Sequence, residues 1–179
     1  KISAQSSLDH AQLVIDALGL EAVTIPITDM VDGYLNQLAQ PPDATRIGNV
    51  CARCRANILF DQSAEIRGLP MGTGNKTERM FGYFTWHADD SPPINPLGDL
   101  LKTQVWQLAR ELGVPSVIVE KPASADLVQG QTDEGDFGIS YAKADHILWF
   151  LLKGVERDGL VRLGFPPAEV DLVWRKVAT

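Results

Sequence analysis

Three features of this chain predict an α/β fold, an open parallel sheet with helices on both faces. First, helix-period segments alternate with short apolar runs, the pattern of strands joined by crossover helices. Second, one such run ends at Leu69-Pro70-Met71 and empties into Gly72-Thr-Gly-Asn-Lys-Thr-Glu78, a glycine turn followed by polar residues that open a helix. Open α/β sheets place their ligands at that passage from strand to helix. Third, 179 residues suit a single domain that buries about two-thirds of its unfolded surface.

Ser6 or Ser7 caps a first helix through about residue 17, with Ala11, Val14, Ile15 and Leu18 on one face and Gly19 as its stop. Residues 22–27 read as a strand with Pro26 near its end. Thr28 then caps a second helix to about residue 38, with Met30, Val31, Tyr34 and Leu38 inward. After a loop at 40–43, a long helix covers 49–67 and stops at Gly68. Residues 79–86 are aromatic and mixed in pattern, and 87–93 form a loop. A helix over 99–112 ends at Gly113-Val-Pro115, and 117–119 is a short strand. The stretch 121–137 is a polar, ordered loop, and a helix covers 140–153. The last helix starts at Pro167, a residue suited to a first turn, and runs to about 177. About three strands are few for a doubly wound sheet. Nothing before the first helix reads as a strand, so the chain is expected to be a fragment.

The net charge of −7 comes without a basic stripe, which argues against a nucleic-acid partner. The longest strongly apolar stretch, 146–152, is too short to span a bilayer, so no membrane partner is expected. Two cysteines cannot make a disulfide framework and no signal peptide is visible, which fits a cytoplasmic compartment. Cys51-Ala-Arg-Cys54 has metal-ligand spacing, but His10, His87 and His146 are scattered, and the pair lies inside a helix. Ordinary buried thiols explain it better than zinc or redox chemistry.

The order of groups in the Gly72–Glu78 segment suggests a nucleotide phosphate, against the plainer reading of a Gly-rich turn. It is not a Walker A loop, because Asn75 separates Gly74 from Lys76, and not a dinucleotide fingerprint, because Thr77 stands at the third glycine. On the long helix Asn49, Arg53 and Asn57 share one face, with Cys54 and Arg55 turned elsewhere. An Arg flanked by amides suits a carboxylate, phosphate or base edge, or simply a solvated face. Glu78, Asp89 and Asp90 are carboxylates of the kind that hold Mg²⁺ beside a nucleotide, or merely acidic surface. Lys102 falls in the first turn of its helix, where the dipole does not favour a cation, so a ligand role is indicated. Ser124 follows the 117–119 strand and either presents its hydroxyl at the sheet edge or caps a helix.

Together these pieces resemble the NAD synthetases. The matching stretches are Gly48-Asn-Val-Cys-Ala-Arg-Cys-Arg55, Gly72-Thr-Gly-Asn-Lys-Thr-Glu78, Gly82-Tyr-Phe-Thr85, Asp99-Leu-Leu-Lys-Thr-Gln-Val105, Ser124-Ala-Asp-Leu127 and Gln131-Thr-Asp-Glu134, in the family's order and spacing. The resemblance implies an adenine nucleotide α-hydrolase-like, Rossmann-like fold and one NAD synthetase domain over 1–179. It also implies an ATP-dependent ligase. ATP would adenylate the nicotinate carboxylate of deamido-NAD, and ammonia, free or glutamine-derived, would displace AMP to give NAD. By position, Thr73, Lys102 and Ser124 would contact ATP, with Lys102 on phosphate, and Glu78 would hold Mg²⁺. Arg53, with Asn49 beside it, would bind deamido-NAD. Asp89 matches the catalytic Asp of a Gly-Asp-Gly loop whose glycines are here Ala88 and Asp90. A homodimer is implied, with the Arg53 helix at the subunit interface.

The chain also departs from that pattern. The family's Ser-Gly-Gly-x-Asp-Ser pyrophosphate loop matches nothing here and is expected upstream of residue 1, together with the first strand and a second Mg²⁺ ligand. A C-terminal His-Lys pair is not found before Thr179. Trp86 and Pro93 stand where some relatives place a Lys and an Asp for deamido-NAD. The rival readings are another amidating or thiolating ATP-pyrophosphatase, and a non-catalytic remnant that binds nucleotide or dimerises.

Overall fold

The computed structural model describes residues 5–127 and 130–178, so Lys1, Thr179 and part of the 121–137 loop lie outside the described residues. In chain order its helices are α1 (Gln5–Leu18), α2 (Thr28–Leu35), α3 (Ala44–Glu65), α4 (Lys76–Met80), α5 (Lys102–Glu111), α6 (Ser116–Val119), α7 (Asp133–Phe137), α8 (Tyr141–Leu151), α9 (Arg157–Arg162) and α10 (Pro167–Ala178).

Helix α8 is the centre of the packing. Ser140 caps it by accepting from the Lys143 amide, and the sequence behind the cap is apolar on more than one face. Tyr141, Ala144, Ile147 and Leu148 are completely buried there, against Leu160 of α9 and Val170 and Val173 of α10. Full burial of each large aliphatic side chain contributes about 2 kcal/mol. On its other sides α8 meets α4, which opens inside the Gly72–Glu78 segment, and α5, which begins at Lys102.

Those three helices are tied by a buried polar knot. The Thr77 hydroxyl donates to Asp145 Oδ1 at 2.6 Å and accepts from the Lys102 amide at 3.0 Å. The Thr103 amide donates to Asp145 Oδ2 at 2.7 Å. Thr77 therefore joins α4 to α8 and fixes where α5, with Lys102, begins. Thr77→Val would leave a buried carboxylate oxygen and a backbone N–H unpaired. A loss of about 3 kcal/mol in unfolding free energy is expected from urea titration of the full-length protein. Thr77→Ser keeps the hydroxyl and should lose about 1 kcal/mol or less; equal losses would show that the knot is not what matters.

Several sequence expectations need correction. The only ladder contact among the described residues is a parallel bridge between Met71 and Ile94, with the Gly72 amide donating to Ile94 O at 2.7 Å. Residues 22–27 hold no helix and no ladder among the described residues, because a strand needs a neighbour for its N–H and C=O groups. The expected strand at 117–119 belongs to α6, which opens directly after Pro115; three β-branched residues are too weak a preference to resist that start. Thr28 is the first residue of α2 rather than its cap, and Ile27 stands at the cap position without a side-chain bond. The long helix begins five residues earlier than expected, at Ala44, because Asp43 accepts from the Arg46 amide at 2.8 Å. The polar stretch before α8 contains a short helix, α7, capped by Thr132. The sequence reading had no counterpart for α9.

Candidate active site

The segment that opens the site is held by local chemistry. Asn75 Oδ1 accepts from the Glu78 amide at 3.0 Å, and Glu78 Oε2 accepts from the Asn75 amide at 2.9 Å, a reciprocal capping box at the start of α4. That leaves Glu78 Oε1 directed at Lys102 Nζ, 3.4 Å away, with each side chain 18% exposed. The Lys102 ammonium also lies 5.4 Å from the Tyr141 ring centre. A Cβ at Gly72 would come within 3.3 Å of Pro92 Cβ, and the Gly74 carbonyl accepts from Asn95 Nδ2 at 2.9 Å. The missing side chain at Gly72 lets the turn pack against residues 92–95. Lys76 points outward and pairs with the exposed Asp99 at 3.2 Å.

Glu78 and Lys102 line a cavity of about 780 Å³, within the usual range for a cofactor or nucleotide site. Of the residues singled out in the sequence, Asn49, Thr73, Asp89 and Ser124 line it too. Asn49 Oδ1 accepts from the Thr85 hydroxyl at 3.2 Å. Asp89 Oδ1 accepts from the Thr85 amide at 2.9 Å, so half of this carboxylate holds the turn. Ser124 caps no helix; its Oγ accepts from the Asp126 amide at 3.0 Å, which leaves the hydroxyl proton for a ligand.

Arg53 is not among the lining residues. Its Nε donates to the Trp86 carbonyl at 3.1 Å and its side chain is exposed. The face of α3 turned to the cavity carries Asn49, Ala52, Ala56 and Leu59, with Arg55 at its edge. The four-residue spacing of Asn49, Arg53 and Asn57 marked a neighbouring face, and Arg55, thought to turn elsewhere, is the arginine at the cavity.

Tyr83, Gln131 and Asp133 also line the cavity, and none of them was given a role from sequence. Tyr83 OH donates to Asp136 Oδ2 at 2.7 Å, and Gln131 Nε2 donates to the same oxygen at 2.7 Å. Tyr141 OH donates to Asp133 Oδ2 at 2.7 Å. Burial, then the bond to a carboxylate, holds both phenols far above their ordinary pKa, so both remain neutral donors. The signal was present, since Gln131-Thr-Asp-Glu134 and Gly82-Tyr-Phe-Thr85 had been noticed without a role for Tyr83 or Asp133.

Among the described residues no group of three or more His, Cys, Asp or Glu side chains is arranged to hold a metal ion. Glu78 offers one carboxylate beside a cation. A single carboxylate is the kind of protein ligand that a largely hydrated Mg²⁺ takes.

Comparison with solved structures defines the class first. The chain superposes on the NH3-dependent NAD synthetase of Campylobacter jejuni with a TM-score of 0.80, 27% identity and coverage of 99% of this chain and 69% of that one. It superposes on the NMN synthetase of Francisella tularensis with a TM-score of 0.79, 31% identity and coverage of 98% and 72%. The fold is therefore of the adenine nucleotide α-hydrolase-like class, as the sequence implied. The family follows from sequence. The NAD synthase model matches residues 1–178, and the NH(3)-dependent NAD(+) synthetase of Chlorobaculum parvum is 47% identical over 180 residues, covering 99% of this chain. The chain belongs to the NAD synthase family. It spans 64% of the length of that Chlorobaculum relative.

Proposed function

We propose that the protein is an ATP-dependent ligase that amidates deamido-NAD with ammonia to give NAD, AMP and pyrophosphate. The observation that carries this reading is the convergence of Asn49, Thr73, Glu78, Asp89, Lys102 and Ser124, drawn from five separate stretches of chain, on one cavity. A carboxylate oxygen is a poor leaving group and AMP a good one, so activation by ATP must precede the amide. Lys102 and Ser124 bring a cation and a hydroxyl to the phosphates, where transition-state charge develops. Thr73 lies on the same wall for the nucleotide. Glu78 holds the Mg²⁺ that enters with ATP, and that ion neutralises phosphate charge. Asp89 keeps its second carboxylate oxygen for catalysis. The ammonia is free, as in the relatives named for NH3, or supplied from glutamine by another domain.

Arg53 stands outside the cavity lining, on the helix for which we infer a homodimer interface. Exposed Phe60 on α3, Met30 and Tyr34 on α2 and Leu13 on α1 support that interface, since such apolar surface calls for a cover. We place deamido-NAD across Asn49 and out to Arg53. Arg53→Ala is then expected to raise the KM for deamido-NAD tenfold or more and that for ATP less than twofold. Equal rises would reject the assignment. We also propose a cytoplasmic location, on the two cysteines, which form no disulfide. No helix among the described residues is long and apolar enough to cross a membrane.

The deciding assay supplies the full-length protein with ATP, Mg²⁺, ammonium and deamido-NAD. AMP and NAD should appear in equal amounts, and no AMP would overturn the reading. A parallel arm with nicotinate mononucleotide tests the alternative raised by the likeness to an NMN synthetase.

A further inference from the structure

Asp133 is the buried group that the proposed chemistry leaves without a task. It is 3% exposed, is the first residue of α7, and lines the cavity with Lys102 and Glu78. Its amide donates to Ala123 O at 2.9 Å, which fixes the residue against the segment that carries Ser124. Oδ2 accepts from the Tyr141 hydroxyl, whereas Oδ1 is buried with no hydrogen-bond partner among the described residues. The Tyr83 hydroxyl donates to Asp136, Gln131 Nε2 donates to the same oxygen, and the Lys102 ammonium pairs with Glu78.

The surroundings are aromatic. Phe137 and Tyr141 pack edge to face at 5.2 Å, Tyr83 and Phe137 at 4.8 Å, and Trp106 and Tyr141 at 5.5 Å. A carboxylate oxygen turned into such a wall is costly unless a positive charge with N–H donors joins it. Ring π-systems add to the attraction for a small cation.

We propose that Asp133 binds the ammonium co-substrate, with Oδ1 accepting an N–H from it at the wall shared with Lys102 and Glu78. Among the reactants of the proposed function, ammonium alone combines a positive charge with N–H donors. The pyridinium of deamido-NAD has no proton to give, and the hydroxyls and amines of ATP carry no charge. Asp89 suits the task less well, since it is exposed and Oδ1 already serves Thr85.

This inference rests on the proposed ligase activity, and the test keeps the two apart. In the full-length protein, Asp133→Asn preserves shape and the Tyr141 contact but removes the charge. It should raise the KM for ammonium chloride tenfold or more, while the KM values for ATP and deamido-NAD and the ammonium-free exchange of pyrophosphate into ATP stay within twofold. Asp133→Glu, which keeps the charge, should recover part of the loss. A wild-type enzyme that turns over, paired with an Asp133→Asn variant whose ammonium KM is unchanged or rises in step with that for ATP, overturns the assignment alone. A wild-type protein that makes no AMP overturns the ligase itself. If the variants do not fold, magnetisation transfer between [¹⁵N]ammonium and aromatic ring protons in the substrate-loaded wild type decides. Transfer supports the site and its absence rejects it.

Discussion

Lys102→Met is expected to lower kcat/KM for ATP by a hundredfold or more in the full-length protein, corresponding to about 3 kcal/mol of lost transition-state stabilisation. The side chain is well placed for that effect. Thr77 fixes the Lys102 amide, the Tyr141 ring lies beside the ammonium, and the only anion paired with it among the described residues is Glu78, on the cavity wall. As the first residue of α5, Lys102 faces an unfavourable helix dipole, so its position is hard to explain by stability. Met keeps the stem and removes the charge, and the midpoint of thermal unfolding should move by only a few degrees. Lys102→Arg should retain part of the activity, since a guanidinium still neutralises phosphate but cannot occupy the same point. Should Lys102→Met retain more than a third of wild-type kcat/KM, its assignment to the phosphates fails.

Reading the sequence reached the site further than it reached the frame. Glu78, Lys102, Ser124 and Thr73, which the resemblance names, all line the one cavity. Asn75-Lys-Thr-Glu78 is a capping box as well as a family match, so the same four residues set both the helix start and the direction of the carboxylate. Helix α10 was readable because Pro167 and its apolar period agree. The 117–119 run failed because three β-branched residues carry little information about whether a neighbour exists to pair with them. Arg53 and Arg55 show a subtler limit. Periodicity fixes which residues share a face of α3, but only packing against Thr85 and Leu127 decides which face meets the cavity; a Cβ at Gly48 would lie 3.0 Å from Leu127. The Asp133 carboxylate was invisible for a related reason, since its burial depends on how the chain turns to bring Tyr141 and Ala123, eight and ten residues away, against it.

Glu78→Gln is expected to reduce Mg²⁺-dependent turnover tenfold or more while leaving the fold intact. The substitution separates the two jobs of this side chain. Its Oε2 accepts from the Asn75 amide, and a glutamine carbonyl can do the same, so the capping box survives. What disappears is the charge at Oε1, which faces Lys102 and the cavity. A metal ion bound through one protein carboxylate and nucleotide phosphates feels that loss directly. The Mg²⁺ concentration for half-maximal rate should therefore rise together with the fall in kcat. Glu78→Ala removes the cap as well and should add a stability loss of about 1 kcal/mol, visible in urea titration. The diagnostic pattern is a Gln variant as stable as wild type but demanding more Mg²⁺. A Gln variant with ordinary Mg²⁺ dependence and full turnover would confine Glu78 to holding the start of α4.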